Sequence, residues 1–418
     1  MVERDIARDV ARFDVAISGA SFAGLALACG LSQTLGSGLK IALFDRIAEL
    51  GSARPADSRA FALSAASKRM LDVLGVWPAI ADEAQAVTSI EITDSSLDAG
   101  VRPVLLTYDN VDSTGEPATF IVSNAVLLRA LRAKLAEAPL VRFIAPAEAI
   151  GFATAETEVR VQLAGGAEIA AALLVAAEGR ASPLREAAGI KVVGWSYPQT
   201  GIVATVRHDR PHGGRAVQHF LPSGPFAILP LTGNRSCITW TEDAGEAARI
   251  LALDEAGFLA EVGKRFGGKR GDIALDGPRQ SWPLEMHLAR RYVGPRFALA
   301  GDAAHGVHPL AGQGLNLAFR DVAALIESIA EGVRLGFDAG DAQTLARYER
   351  WRRFDSAVSA ATFDGLNRLF ASDATLLRSA REVGLGIVDR LPTLKRFFVS
   401  EAAGLTGELP RLLKGEAV

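Results

Sequence analysis

Apolar runs of strand length, each stopped by glycine or a small polar residue, recur through the chain and alternate with helical spacing. Phe13–Ser18 reads as a fully buried strand, and Gly19–Gly24 then opens a helix that continues through about Leu35. Ile41–Phe44 predicts a second strand, ending at Asp45, and Ala171–Ala177 a further buried one. Phe297–Ala300 is another, halted by Gly301; beyond a turn over Pro309–Gly314, Leu315, Leu317, Ala318, Val322 and Leu325 mark a helix. Thr119–Arg132 reads as a strand leading into a helix that returns to the first domain. Other stretches have a period of two. Ser89–Ser95 and Pro103–Asp109 alternate, as do Ile202–Val206, Ala216–Phe220, Phe226–Leu231 and Ser236–Thr241, with Pro, Gly and Asn between them. From Lys191 to Trp282 this predicts an antiparallel sheet. After Asp341 the chain reads helical.

Composition narrows the class. A chain of 418 residues is too long for one core and suggests about two or three domains. With 49% hydrophobic residues and a net charge of -3 it reads as a soluble globular protein, with no basic excess to suit nucleic acid. Cys29 and Cys237 stand far apart without partners at metal spacing, which points to a reducing cytoplasm and no structural zinc. The uncharged stretch Val15–Leu39 superficially resembles a signal peptide, but Asp5, Asp9 and Asp14 occupy its flank and Ser18-Gly19 breaks it. A nucleotide-binding strand–turn–helix explains it better.

Gly19, Ser21 and Gly24 stand where a dinucleotide fingerprint puts its glycines, and Asp45 follows about 20 residues on. Such a turn seats a pyrophosphate on a helix N-terminus, and the acid takes a ribose. Ser21 replaces the second glycine; its hydroxyl can donate to phosphate, though it narrows the backbone approach. Near the other end, Asp302 is an acceptor suited to sugar or ribityl hydroxyls. The free N–H groups near Gln313, Gly314, Leu315 and Asn316 suit an anion, and glycine at 312 and 314 lets a flat ligand approach the backbone.

The run His308-Pro309-Leu310-Ala311-Gly312-Gln313-Gly314-Leu315-Asn316-Leu317 resembles the Gly-Asp motif region of class A flavoprotein monooxygenases, specifically their ubiquinone-biosynthesis hydroxylase branch. The likeness extends over nearly the whole chain, through Trp195–Gln199, Phe220–Leu231 and the closing segment. It implies an α/β fold like that of para-hydroxybenzoate hydroxylase. A Rossmann-like FAD-binding domain would come from 1–86, 118–188 and 286–340, an inserted antiparallel-sheet substrate domain from 87–117 and 189–285, and a helical C-terminal region from 341–418. The resemblance assigns Asp302 to the ribityl chain, Arg59 to the pyrophosphate, and Pro309, Gly312 and the Gln313–Asn316 helix start to the flavin edge. Asn124 fits either an amide directed at the ribityl chain or a helix cap. Glu178-Gly179 stands where the family has Asp-Gly, a segment touching FAD and the reductant's route. The longer acid puts a role in nicotinamide binding in doubt, while Gly179 suits a positive-φ turn.

The activity implied is hydroxylation of a polyprenylated phenol on the way to ubiquinone, through a flavin C4a-hydroperoxide, with O2 and with NAD(P)H or a redox protein as electron donor. Residues of the type found in Trp195–Gln199 and Phe220–Leu231 suit the wall of a pocket for a flat ring, and also the core of a sheet. No residue stands out as a general base. Two other readings fit the same motifs: a flavin monooxygenase of a soluble aromatic compound, and a non-catalytic prenyl-binding protein on this fold. His305 and His308 are three apart but lack a third ligand, so no metal is expected. Leu394, Phe397, Phe398, Ala402 and Leu405 form an apolar stripe beside Lys395 and Arg396. It fits a helix packed on the body or on another subunit, or one that docks at the inner face of the cytoplasmic membrane or on a biosynthetic complex held there.

Overall fold

Ile41–Phe44 and Val15–Ser18 are buried at every position, so both of their faces need covering and a parallel sheet between helices results. A computed structural model of the chain describes residues 11–47, 57–94, 97, 103–112, 114–307, 313–370, 399–400 and 402–418. Its first sheet contains β1 (Ala11–Ser18), β2 (Ile41–Phe44), β8 (Val141–Ile144), β9 (Ala149–Thr154), β10 (Val159–Leu163), β11 (Glu168–Ala176), β18 (Val293–Gly294) and β19 (Phe297–Leu299). The order is β18-β19-β11-β1-β2-β8, parallel from β19 to β8, with β10 and β9 folded antiparallel onto β11. Helix α1 (Phe22–Leu35) follows β1 directly and packs against α3 (Asn124–Ala136) and α7 (Gly314–Arg334). Every residue of α7 from Leu315 to Ala330 is buried, which makes it the interior helix of this layer.

A second sheet holds β5 (Ser89–Asp94), β6 (Val104–Asp109), β12 (Val192–His208), β13 (Arg215–Leu221), β14 (Gly224–Leu231), β15 (Arg235–Asp243), β16 (Ile273–Leu275), β17 (Gln280–Ala289) and β20 (His305–Gly306). Its order is β20-β17-β12-β15-β14-β13-β5-β6, antiparallel except where β13 runs parallel to β5. Strand β20 brings the chain just after Gly301-Asp302 onto β17, so the two sheets are stitched together at that loop. A small sheet of β3 (Ala60–Ser64), β4 (Gln85–Ala86) and β7 (Thr119–Ser123) lies between them in sequence. Helix α2 (Ala65–Val73) follows β3, and α4 (Pro183–Ala187) follows the Glu178 turn.

Between Lys191 and Trp282 the structure adds two helices to the strands expected there, α5 (Ala244–Ala252) and α6 (Glu255–Phe266). They cover the outer face of the second sheet, where Phe226, Trp240, Phe258 and Val262 form one buried cluster. The signal was present in Phe258, Val262 and Phe266 at four-residue spacing behind Asp254, whose side chain accepts from the Gly257 N–H at 2.8 Å. Helix α8 (Ala342–Phe370) packs on α7, and α9 (Arg411–Lys414) inserts Leu412 and Leu413 against α2 and α7. No helix among the described residues is long and apolar enough to cross a membrane.

A buried charge cluster joins these parts. Asp321 on α7 accepts from His305 Nε2 at 2.6 Å, from the Gly301 N–H at 3.0 Å and from Arg352 Nε at 2.8 Å. His305 is therefore held by a carboxylate, and His308 lies outside the described residues. Burial acts to raise the Asp321 carboxyl, but the charges and hydrogen bonds of His305 and Arg352 outweigh it and hold the group below its ordinary 3.8. A depressed carboxyl stabilises the fold above its ordinary value and loses that contribution as the pH falls through the folded value. Asp321→Asn keeps the shape and removes the charge, so it should cost about 3–5 kcal/mol, read as a lower denaturant midpoint at neutral pH. An unchanged midpoint would mean that the cluster does not hold the loop.

Candidate active site

One cavity of about 1220 Å³ runs between the two large sheets. That exceeds the several hundred Å³ usual for one drug-sized ligand and leaves room for a dinucleotide with a second molecule beside it. Its polar end is built from the turns that follow the strands of the first sheet. Ser18, Gly19, Ser21, Asp45, Arg59, Glu178, Gly179 and Asp302 all line it, as do Gln313, Gly314, Leu315 and Asn316.

The first turn is shaped by close backbone approach. Gly19 has φ +104°, and a Cβ there would lie 2.4 Å from the Ala177 carbonyl oxygen; one on Gly24 would lie 1.8 Å from the Gly19 carbonyl oxygen. Only glycine fits either position, and the helix start they create faces the cavity. Ser21 is the N-cap of α1, but its side chain makes no capping bond, so the first N–H groups of the helix keep their capacity for an anion. Asp45 steadies the same turn. Its carboxylate accepts from the Ala20 N–H at 2.7 Å and the Ile47 N–H at 2.9 Å.

Arg59 is gripped by Asp57, which stands two residues earlier in the chain. The guanidinium donates through Nε at 3.0 Å and Nη2 at 2.6 Å, and lies 5.8 Å from the Trp282 ring centroid. Burial acts to raise the Asp57 carboxyl, yet Arg59 and Asn124 bring it below the usual range. Asn124 is absent from the cavity wall. Ser123 is the N-cap of α3 and Asn124 its first helical residue; the Nδ2 amide donates to Asp57 and Oδ1 is buried with no partner among the described residues. The helix-cap expectation for it is not met, because Ser123 holds that position.

Glu178 is likewise committed to the protein. Oε1 accepts from Ser18 Oγ at 2.8 Å and Oε2 from Ser182 Oγ at 2.6 Å, so the extra methylene lets the acid tie β1 to the start of α4. Burial pushes its pKa above the usual carboxylate range against those hydrogen bonds. Gly179 has φ +88°, the left-handed turn expected of it.

The second helix start is fixed from both sides. Asn316 donates to the Ala62 carbonyl at 2.8 Å and to Gln313 Oε1 at 3.1 Å, and accepts from the Ser64 N–H at 3.0 Å and Ser67 Oγ at 2.8 Å. With its amide saturated, only its backbone N–H remains for a ligand. Gly314 is helical with nothing within 4 Å of a built Cβ, so the open space beside it, and no unusual φ, is what a side chain would take away. Asp302 carries an exposed carboxylate at the cavity. Its own carbonyl accepts from His287 Nε2 at 2.9 Å, which requires the proton on that nitrogen. Burial lowers the His287 pKa, aided by Arg185 and Arg180, so the ring is neutral at pH 7. Pro309 and Gly312 lie outside the described residues.

Two glycine-shaped or open helix starts, an acid beside each and a further apolar chamber fit a dinucleotide-dependent enzyme. Comparison sharpens the class. The FAD binding domain family matches residues 12–361. Ubiquinone hydroxylase UbiL of Rhodospirillum rubrum is 41% identical over 96% of this chain and 92% of its own. The 3-demethoxyubiquinol 3-hydroxylase of Escherichia coli is 31% identical over 94% and 98%. In fold, p-nitrophenol 4-monooxygenase of Pseudomonas putida superposes with a TM-score of 0.77 at 17% identity, over 96% of this chain and all of that one. The chain belongs to the FAD-dependent aromatic monooxygenases, in their ubiquinone-biosynthesis hydroxylase family. It is an enzyme, and its cofactor is FAD.

Two substitutions test the cofactor end. Asp302→Ala removes a charge-assisted acceptor worth roughly 1.5–3 kcal/mol, and FAD affinity should fall about 10- to 150-fold; retention of flavin through dialysis as in the wild type would count against Asp302. Gly314→Val should leave folding intact, since no described atom meets the new Cβ, and yet weaken flavin binding and slow turnover. Normal FAD binding at full rate would show that the loop does not approach the ring.

Proposed function

We propose that the protein hydroxylates the aromatic ring of a polyprenylated phenol on the way to ubiquinone. One observation carries this: beyond the polar end, the same cavity continues over a wall of Ile90, Ile92, Leu106, Ala216, Phe220 and Leu229 from the second sheet. No described arginine, lysine, acid or histidine lies on that wall. A soluble aromatic acid placed against it would find no counter-charge on that wall, the cavity's Arg180 and Arg320 standing on other elements, whereas a prenylated ring buries apolar surface at about 25 cal/mol per Å². The relatives named as hydroxylases of ubiquinone and demethoxyubiquinol support the same reading. Trp195, at 36% exposure, stands outside the chamber, and Phe226 faces the helical layer behind the sheet.

Residues 1–86, 118–188 and 286–340 then serve as the FAD-binding part, 87–117 and 189–285 as the substrate part. Gly19, Ser21, Gly24 and Arg59 take the pyrophosphate, Asp45 the adenosine ribose and Asp302 the ribityl chain. Glu178 and Gly179 shape the wall between them; Pro309 and Gly312, which the resemblance assigns to the flavin edge, lie outside the described residues. When bound and reduced by NAD(P)H or a redox protein, FAD would supply the activation of O2 from which one oxygen atom goes to an electron-rich ring carbon and the other to water. The N–H groups of Gly314, Leu315 and Asn316 stabilise negative charge at the flavin edge. The dry wall keeps water from the reacting oxygen. The phenol's own hydroxyl supplies the electron density, which fits the lack of any described base on the wall.

Such a substrate resides in a bilayer, since each CH₂ withdrawn from water is worth about 0.8 kcal/mol. The enzyme must visit the membrane or join a biosynthetic assembly there. From the sequence, Leu394, Phe397 and Phe398 beside Lys395 and Arg396 are the segment suited to that visit; these five lie outside the described residues. At the end of the stripe, Ala402 lines the cavity and Leu405 packs against the core, so that part serves the body of the protein. A strain lacking the protein should accumulate an unhydroxylated polyprenylated phenol, measured by mass spectrometry, and wild-type protein should clear it. A variant with Phe397→Ser and Phe398→Ser should fail to clear it while still oxidising short-chain phenols with full FAD content. No accumulating phenol would sink the substrate assignment; full clearance by the variant would sink only the membrane contact.

A further inference from the structure

Strand register rules the cavity face of the second sheet into rows. One row runs Leu106, Ile92, Gln218, Ala227, Thr239 across β6, β5, β13, β14 and β15, and all five line the cavity. Gln218 is the single amide in it. Its neighbours across the row are Ile92 and Ala227, and the residues two positions away on its own strand, which share its face, are Ala216 and Phe220. The amide is thus framed by apolar side chains on four sides. Its Nε2 is buried and has no hydrogen-bond partner among the described residues. Two other amides at the cavity do find partners: Asn316 makes four hydrogen bonds, and Gln199 nearby donates to the Ser223 carbonyl at 2.8 Å. A buried donor left alone is costly, and a leucine of similar length would line the wall without that cost.

We propose that Gln218 is a specificity-determining residue for the hydroxylation, its amide hydrogen-bonding an oxygen substituent of the substrate's ring. An amide offers both a donor and an acceptor, so it can meet a phenol, an ether or a carbonyl oxygen. In an apolar chamber a flat ring is otherwise free to rotate in its plane, because dispersion contacts have little direction. One fixed hydrogen bond chooses which ring carbon is turned toward the cofactor. The inference rests on the chamber being the ring's site, and it adds the residue that sets the ring's orientation there.

The test uses the FAD-loaded full-length enzyme and two ligands, 2-(3,3-dimethylallyl)phenol and the same molecule without its hydroxyl, titrated by the change in flavin absorbance. Wild-type enzyme should prefer the phenol. Gln218→Leu should shrink that preference about 2- to 12-fold, the worth of one neutral hydrogen bond, and leave the affinity for the deoxy ligand and the FAD content as they were. It should also release more hydrogen peroxide per electron donor consumed, since a misturned ring is hydroxylated less often. Preference unchanged, or both ligands weakened equally, would make Gln218 a packing residue and overturn the proposal. If neither ligand perturbs the flavin of the wild-type enzyme, the chamber itself is misassigned and the proposal falls with it.

Discussion

The carboxylate of Asp321 is the point on which the site depends. Its two oxygens hold the Gly301 N–H and His305 on one side and Arg352 of α8 on the other, all in the dry interior. The turn it fixes carries Asp302 outward to the cavity, and the next residues go straight on to pair with β17 of the second sheet. Because Asp321 sits two turns into α7, the same helix that presents its N-terminus to the cavity also anchors the opposing loop. Arg352 passes the connection to Asp355, which binds Arg320 on the cavity wall at 3.0 Å. A buried ion cluster of this kind contributes little net stability against an apolar alternative, but breaking one member is costly. Its use here is geometric: it sets the distance between two ligand-facing turns that come from different parts of the chain.

From that constraint follows a cavity with two unlike ends. Turns of the parallel sheet supply N–H groups and carboxylates, which suit phosphate and sugar; the antiparallel sheet supplies side chains of alternate phase, which suit hydrocarbon. Saturated side chains such as Asn316 and Glu178 serve the frame, and the unsatisfied groups, the helix-start N–H groups and the Asp302 carboxylate, are left for ligands. That division separates side chains already engaged within the protein from groups still open at the cavity. It also explains how the glutamate at 178 is accommodated, since its greater reach is taken up by Ser18 and Ser182.

Much of this was legible in the sequence, because local chemistry and tertiary role agree. The glycines at 19 and 24 follow a buried strand, and the Phe297–Ala300 run stops at a glycine with φ +61°, so element type and turn position could both be read. The alternation of β13 to β15 was equally plain. What escaped were features set by partners distant in sequence. Nothing local says that Asn124 meets Asp57, or that His305 meets Asp321. Helix α6 was readable from Phe258, Val262 and Phe266 but was masked by the β texture on either side. Gln218 did leave a trace: it stands in phase with Ala216 and Phe220, a polar residue on an apolar face, and only the cavity shows what that face looks at.

The central claim is that one cavity sets a reduced flavin against an apolar-bound phenol ring so that an oxygen atom passes between them. Incubating the FAD-loaded enzyme with a reductant, a short-chain prenylated phenol and ¹⁸O₂, and weighing the products, addresses it directly. The account predicts a ring-hydroxylated phenol carrying one labelled oxygen atom, with the second label in water. A flavin that consumes reductant and labelled oxygen but yields only labelled hydrogen peroxide and unchanged phenol would contradict it.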